Sequence, residues 1–244
     1  MGVVSMVTGV HNAGVTLSAR DADVVRLVGW LGQASSAHLR VQLFTGLSDT
    51  TFDRSASRLL AARYLHRVGR RSTGVSIGAS PIVYQLGVKG WAFCNMPGAY
   101  QRSTAVNEHS LGVADVFVAL SEAHRAGHIE LDSEKQFLLE YEVGAVRADV
   151  WAEFAIPSRG GSVAYYLEID LGSERPIRIE EKCAGYWQAY TTSPDDYWPY
   201  VVFVVPDERR KREVERVLRS LPSEQQELFR VFLFAELVDG LLNP

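Results

Sequence analysis

The stretch Val163-Ala164-Tyr165-Tyr166-Leu167-Glu168-Ile169-Asp170-Leu171 decides how the second half of this chain is read. Its aromatic and branched residues predict a strand, and on a strand residues two apart share a face, so Glu168 and Asp170 fall on one side. The run before it, Ala145 to Phe154, reads as its hairpin partner across the Pro157–Gly161 loop, with Asp149 at the centre and Glu140–Val143 leading in. Three carboxylates on neighbouring strands form an oxygen-rich set that suits a hard divalent cation such as Mg2+ or Mn2+. The plainer reading of Glu168 and Asp170 is a solvated strand face.

Towards the C-terminus, a helix is predicted from Ile177 to Tyr190, carrying Lys182 and Tyr186. The uninterrupted apolar run Tyr200–Val205 reads as a strand buried on both faces, and Pro206 ends it. Asp207–Leu221 is a charged helix with the apolar stripe Val214, Val217, Leu218 and Leu221, and Phe229–Val238 is read as a closing strand. Residues 101–244 thus predict an α/β domain with a central mixed sheet flanked by helices.

Towards the N-terminus, a long helix is expected from Ala105 to Arg125, with His109 in its first turn as a surface or capping residue. Gly87–Tyr100 reads as a linker region holding a short helix at Val88–Phe93. Ahead of it three helices follow one another. The first carries Val24, Leu27, Val28 and Leu31 at helical spacing after Ser18 or Asp21 as cap; the second follows Ser35 or Ser36. The third runs from Ser48–Asp49 to Leu65 with Phe52, Ala56, Leu59 and Leu60 inward and Thr51, Arg54, Ser55 and Arg58 outward. Two short strands, joined by a basic loop containing Gly74 and Gly78 and ending in Pro81–Leu86, complete a winged helix-turn-helix over residues 21–100, with residues 1–20 as a flexible arm. On this reading Thr51, Arg54, Ser55 and Arg58 face the major groove of double-stranded DNA, and Arg67, Arg70 and Arg71 contact phosphates. The alternative is a structural bundle with a solvated arginine run.

Charge supports a division of labour. The formal net charge of −4 averages a first hundred residues with ten Lys/Arg against four Asp/Glu and a remainder with fifteen against twenty-five. The basic part suits phosphates and the acidic part does not. Cys94 and Cys183 are the only cysteines, which excludes zinc ribbons and disulfide frameworks and fits a reducing, cytoplasmic setting. No apolar run reaches the roughly 18 residues of a membrane span, and Met1–Ser18 lacks the pattern of a signal peptide, so no membrane role is expected.

Arg147-Ala148-Asp149, Leu167 to Glu174, Lys182 with Tyr186, and Val202–Asp207, together with the N-terminal helices and strands, resemble the replication-relaxation family of plasmid and mobile-element proteins. The resemblance spans Asp21 to Leu237. It implies a winged helix-turn-helix fused to a domain of the PD-(D/E)xK nuclease-like fold, and DNA binding connected with replication and relaxation of DNA topology. It also implies catalytic positions: Asp149 and Glu168 match the acidic ones, Asp170 stands where the lysine would be, and Lys182 is placed to project an ammonium back into the site. With Asp149, Glu168 and Asp170 as metal ligands this would be a Mg2+- or Mn2+-dependent nuclease. Without its lysine an acid-rich pocket repels phosphate, so binding is favoured over cutting. The leading expectation is a duplex DNA-binding protein of a mobile element, acting as a homodimer on paired half-sites. The alternatives are a metal-dependent nicking nuclease and a transcriptional repressor whose degenerate nuclease-like domain serves dimerisation.

Overall fold

Ser18 caps the first helix, its hydroxyl accepting from the Asp21 amide at 3.2 Å. The computed structural model describes residues 17–72, 80–131, 136–194 and 197–243, and the chain divides into two compact units, 1–118 and 119–244. Residues 1–16 of the expected arm, and the loop with Gly74 and Gly78, lie outside the described residues.

In the first unit α1 (Ala19–Leu31) buries Val24, Val25, Val28 and Leu31. A three-residue strand, β1 (Gln33–Ser35), follows; it is too short to carry an alternation that sequence could reveal. Ser35 then caps α2 (Ser36–Leu43) reciprocally, its hydroxyl accepting from the His38 amide while its own amide donates to His38 Nδ1. Next comes α3 (Asp49–Ala61), which stops short of the expected Leu65. Arg63 adopts a left-handed φ of 63°, the Tyr64 amide reaches back to the Leu59 carbonyl at 2.9 Å, and Leu65 already opens a strand. That strand, β2 (Leu65–Arg70), pairs antiparallel with β3 (Ile82–Leu86), and β1 pairs on the other side of β3.

After the predicted short helix α4 (Val88–Phe93), α5 (Glu108–Arg125) starts later than Ala105. Two buried glutamines explain the delay. Gln33 and Gln85 face each other in the register of β1 and β3. Gln85 donates to the Gln101 carbonyl and accepts from the Ser103 amide, while Gln33 donates to the Ala105 carbonyl and accepts from the Asn107 amide. These bonds hold residues 101–107 extended, and the Asn107 side chain accepts from the Ser110 amide where α5 begins. The division between the units falls within α5, after Val118, rather than in the Gly87–Tyr100 stretch.

The second unit is built on a five-stranded sheet in the order β4-β5-β6-β7-β8. β4 (Phe137–Val143), β5 (Val146–Ile156) and β6 (Gly161–Ile169) form an antiparallel meander. Then α6 (Pro176–Thr192) crosses to β7 (Tyr200–Val205), which runs parallel to β6; α7 (Glu208–Ser220) and α8 (Ser223–Gln226) cross to β8 (Phe229–Leu233), parallel to β7. The closing segment is a strand only as far as Leu233. A turn of 3-10 helix at Phe234–Glu236 and α9 (Leu237–Leu242) follow, and Tyr165 of β6 donates its hydroxyl to the Leu241 carbonyl at 2.6 Å.

Central placement explains the composition of β7, in which Val201 to Val205 are all buried, because neighbouring strands and both sheet faces cover it. One face carries α6 and α7, whose Ile179, Cys183, Tyr186, Val214 and Val217 pack on Ala148, Tyr166, Val201 and Phe203. Gly185 lets α6 approach β5: a Cβ there would lie 2.2 Å from a Val146 methyl. The result is a mixed α+β chain with a mixed five-stranded sheet flanked by helices, as the sequence predicts. Among the described residues no helix is long and apolar enough to cross a membrane.

Candidate functional site

Two groups of side chains separate by unit. In the first unit, α3 turns Phe52, Ala56 and Leu59 inward, and its opposite face shows Arg54 and Arg58 to solvent with Thr51 half-buried. Ser55 is not on that face. It is buried, and its hydroxyl donates to Asp21 of α1. Arg58 reaches the same aspartate, Nε at 2.9 Å and Nη2 at 2.6 Å from Oδ2, so one buried carboxylate orients an exposed guanidinium. On β2, Arg67 and Arg70 are exposed, and Arg70 donates to the Ser80 carbonyl at 2.5 Å.

Arg71 turns away from solvent. It forms a two-pronged pair with Asp115 of α5 at 2.7 and 2.8 Å and adds Glu108 at 3.4 Å. His38 Nε2 lies 2.8 Å from the same carboxylate. Since the Ser35 amide donates to Nδ1, the proton of the neutral ring sits on Nε2 and points at Asp115. Burial alone would raise the Asp115 carboxyl; the bonds from His38 and Arg71 outweigh it and hold the group below the usual carboxylate range. Arg71 is therefore already neutralised where a phosphate contact is expected of it.

In the second unit the β4–β5 register skips one position, that of Glu140 and Asp149, between the pairs Leu139–Val150 and Tyr141–Ala148. Glu140 takes a left-handed φ of 52° there. On the other side of β5, the Asp149 carboxylate accepts from the Ile169 amide of β6 at 2.7 Å. Beside it Glu168 is only 1% exposed. Lys182 Nζ lies 2.7 Å from Glu168 Oε2 and 2.7 Å from Glu174, and the Tyr186 hydroxyl donates to Glu168 Oε1 at 2.6 Å. Lys182 and Tyr186 are four residues apart on α6 and so share the helix face turned to the sheet.

Burial, reinforced by the charge of Asp149, raises the Glu168 carboxyl to about 7 despite the opposing pull of Lys182. For Lys182 burial acts the other way, but Glu168 and Glu174 more than offset it and keep the ammonium charged. Burial and the adjacent Glu168 likewise push the Tyr186 hydroxyl up, so it stays a donor. The grouping is a carboxyl that exchanges a proton near neutral pH beside a fixed cation and a fixed donor. Cys183, next to Lys182, is packing: burial pushes its thiol to about 12.

Asp170 does not join this group. It lies just past the end of β6, where Arg210 of α7 holds it at 2.6 and 2.9 Å and the Gly172 amide donates to it at 2.8 Å. Among the described residues, no three His, Cys, Asp or Glu side chains gather so as to hold a metal ion. Asp149 and Glu168 stand side by side, with Lys182 and Tyr186 on the Glu168 oxygens, while Asp170 is held apart by Arg210, so the three predicted ligands are not brought to one point.

Sequence reading passed over Tyr186, Glu174, Arg210, Asp21 and Asp115 as site residues. Two of them carried a signal. Tyr186 is one helical turn beyond Lys182, and Arg210 continues the stripe Val214, Val217 at i−4 and i−7 while its neighbour Arg209 does not. The aspartates carried none, because their partners are remote in sequence.

The fold and these groups define a two-unit α+β protein with a basic helix-and-hairpin unit and a carboxylate–lysine cluster on a mixed sheet. The chain belongs to the replication-relaxation family, whose model matches residues 26–199, more than half of its length. No match was found among the curated proteins or the solved structures.

Proposed function

We propose that this protein binds duplex DNA as part of the replication machinery of a mobile element, its first unit serving as a winged helix-turn-helix. The observation that carries this reading is that the first unit leaves Arg54 and Arg58 exposed on α3 and Arg67 and Arg70 exposed on β2, the strand that follows it. Helix and hairpin arginines on one small unit match the footprint of a protein that lays a helix into a groove and a wing along the backbone. The family membership and the positive charge of the first hundred residues support it. Fluorescence anisotropy of a labelled duplex at two salt concentrations tests it. Binding that weakens steeply with salt is expected; absence of binding at low salt overturns the reading.

One observation favours a second reading, cleavage of DNA by the second unit. Lys182 arrives from α6 within 2.7 Å of Glu168, beside Asp149, which restores a lysine to an acidic pair that lacks one at Asp170. Incubating supercoiled plasmid with Mg2+ or Mn2+ decides it. Nicking that Asp149→Ala abolishes supports cutting; an unchanged supercoiled band leaves the cluster a structural or partner-binding role.

A further inference from the structure

Between the start of α1 and the outer face of α3 the first unit has an open cavity of about 190 Å3. Arg20, Thr51, Arg54 and Arg58 line it, with Asp21 and Phe44 behind them. Three guanidiniums and a hydroxyl thus converge on a space of small-anion size against one carboxylate.

That carboxylate is already used. Asp21 is 3% exposed; Ser55 donates to one oxygen and Arg58 to the other through Nε and Nη2. Its charge serves to aim Arg58, whose Nη1 takes no part in the pairing. Arg20 stacks over the Phe44 ring at 5.5 Å, so a second guanidinium is held in place by an aromatic face. Arg54 is exposed and has no acidic partner among the described residues. Three guanidiniums against one carboxylate leave the described lining with a positive excess, on side chains whose planar forks match a tetrahedral oxyanion.

We propose that this cavity seats one phosphate group of a nucleic-acid backbone, held by Arg20, Arg54 and Arg58. The inference rests on the duplex-binding reading and sharpens it. A guanidinium tied to a buried aspartate beside α1 has a fixed direction, which suits a repeating backbone group better than a base edge that varies from site to site. Arg54 and Arg58 then set the register of the protein on the duplex, and Arg20, outside α3, belongs to the same contact.

The test uses the full chain, two labelled duplexes of unrelated sequence, and the variants Arg20→Gln and Arg54→Gln; both side chains are exposed, so the core is untouched. Each variant is expected to lose roughly three- to tenfold in affinity, equally on both duplexes, with the slope of log K against log salt reduced by up to about 0.9, the value of one phosphate contact. Losses that differ between the two sequences would assign these arginines to base reading, and an unchanged affinity and slope would leave the cavity without a role; either overturns the proposal. If the wild-type chain binds neither duplex, the duplex reading fails, and the cavity is judged with inorganic phosphate at constant ionic strength, following arginine Nε–H resonances by NMR. Saturable shifts of the resonances that vanish in the two variants would identify free phosphate as the source of the anion; no shift overturns the site altogether.

Discussion

Both units bury carboxylates, and they differ in what neutralises them. In the first, the buried Asp21 is closed by Arg58 and Ser55, and the half-buried Asp115 by Arg71 and His38. In the second, Asp170 follows the same pattern with Arg210, but Glu168 is met by a lysine and a tyrosine and stands beside a second acid, Asp149. An arginine fork carries a permanent charge and two donors, so it fixes the carboxylate that it meets. A buried carboxyl facing another acid gains affinity for a proton instead. Asp21, Asp115 and Asp170 are thereby anchors, whereas burial and the charge of Asp149 raise the Glu168 carboxyl to about 7.

The sharpest way to break this comparison is to remove the arginine from an anchor. Arg210→Met would leave Asp170 buried and unpaired and should cost about 3–5 kcal/mol, read by hydrogen exchange of the β7 amides; a loss under about 1 kcal/mol would show that Asp170 does not depend on its partner. Glu168 should behave differently. Its folded-state value lies above the ordinary one, so between about pH 4.5 and 7 the folded protein holds a proton that the unfolded chain has released. Stability from this group is therefore greatest at the acid end and falls as pH rises through the window. Relative to Glu168→Gln, the wild type should lose about 3 kcal/mol between pH 4.5 and 7; a difference that does not change with pH, measured by denaturation at several pH values, would make Glu168 an anchor like the others.

Asp115 has the opposite sign. Its lowered value contributes stability above the ordinary carboxylate range that is lost as pH falls through the folded-state value. Asp115→Asn should cost about 2 kcal/mol at pH 7 and nothing at the acid end, read by hydrogen exchange of α2 and β3 amides. The smallest effect is expected of Arg54→Gln, which should change the melting transition by less than about 0.5 kcal/mol, because Arg54 anchors no acid. A larger loss would mean that α3 uses this side chain to fold.

Local patterns carried most of the architecture. The stripes of α1, α3 and α7, the apolar run of β7 and the β5–β6 hairpin were legible because side-chain period and turn residues report directly on local geometry. The start of α5 was not, since Gln33 and Gln85 delay it from positions far up the chain. The candidate sites divided in the same way. Lys182 beside Glu168 was readable as a helix following a strand. Ser55 lies three residues after Phe52 and four before Leu59, on the flank of the inward stripe, and its polar side chain reads as outward until Asp21 is seen to accept from it.

The sequence by itself determined the order of helices and strands, the mixed sheet of the second half and the positive charge of the first, because periodicity and composition are properties of short segments. Only the tertiary structure decided which charges are spent and which are available. Arg71 and Asp170 are consumed by Asp115 and Arg210, and Arg54 is not, because ion pairing depends on distances between segments that no local pattern records.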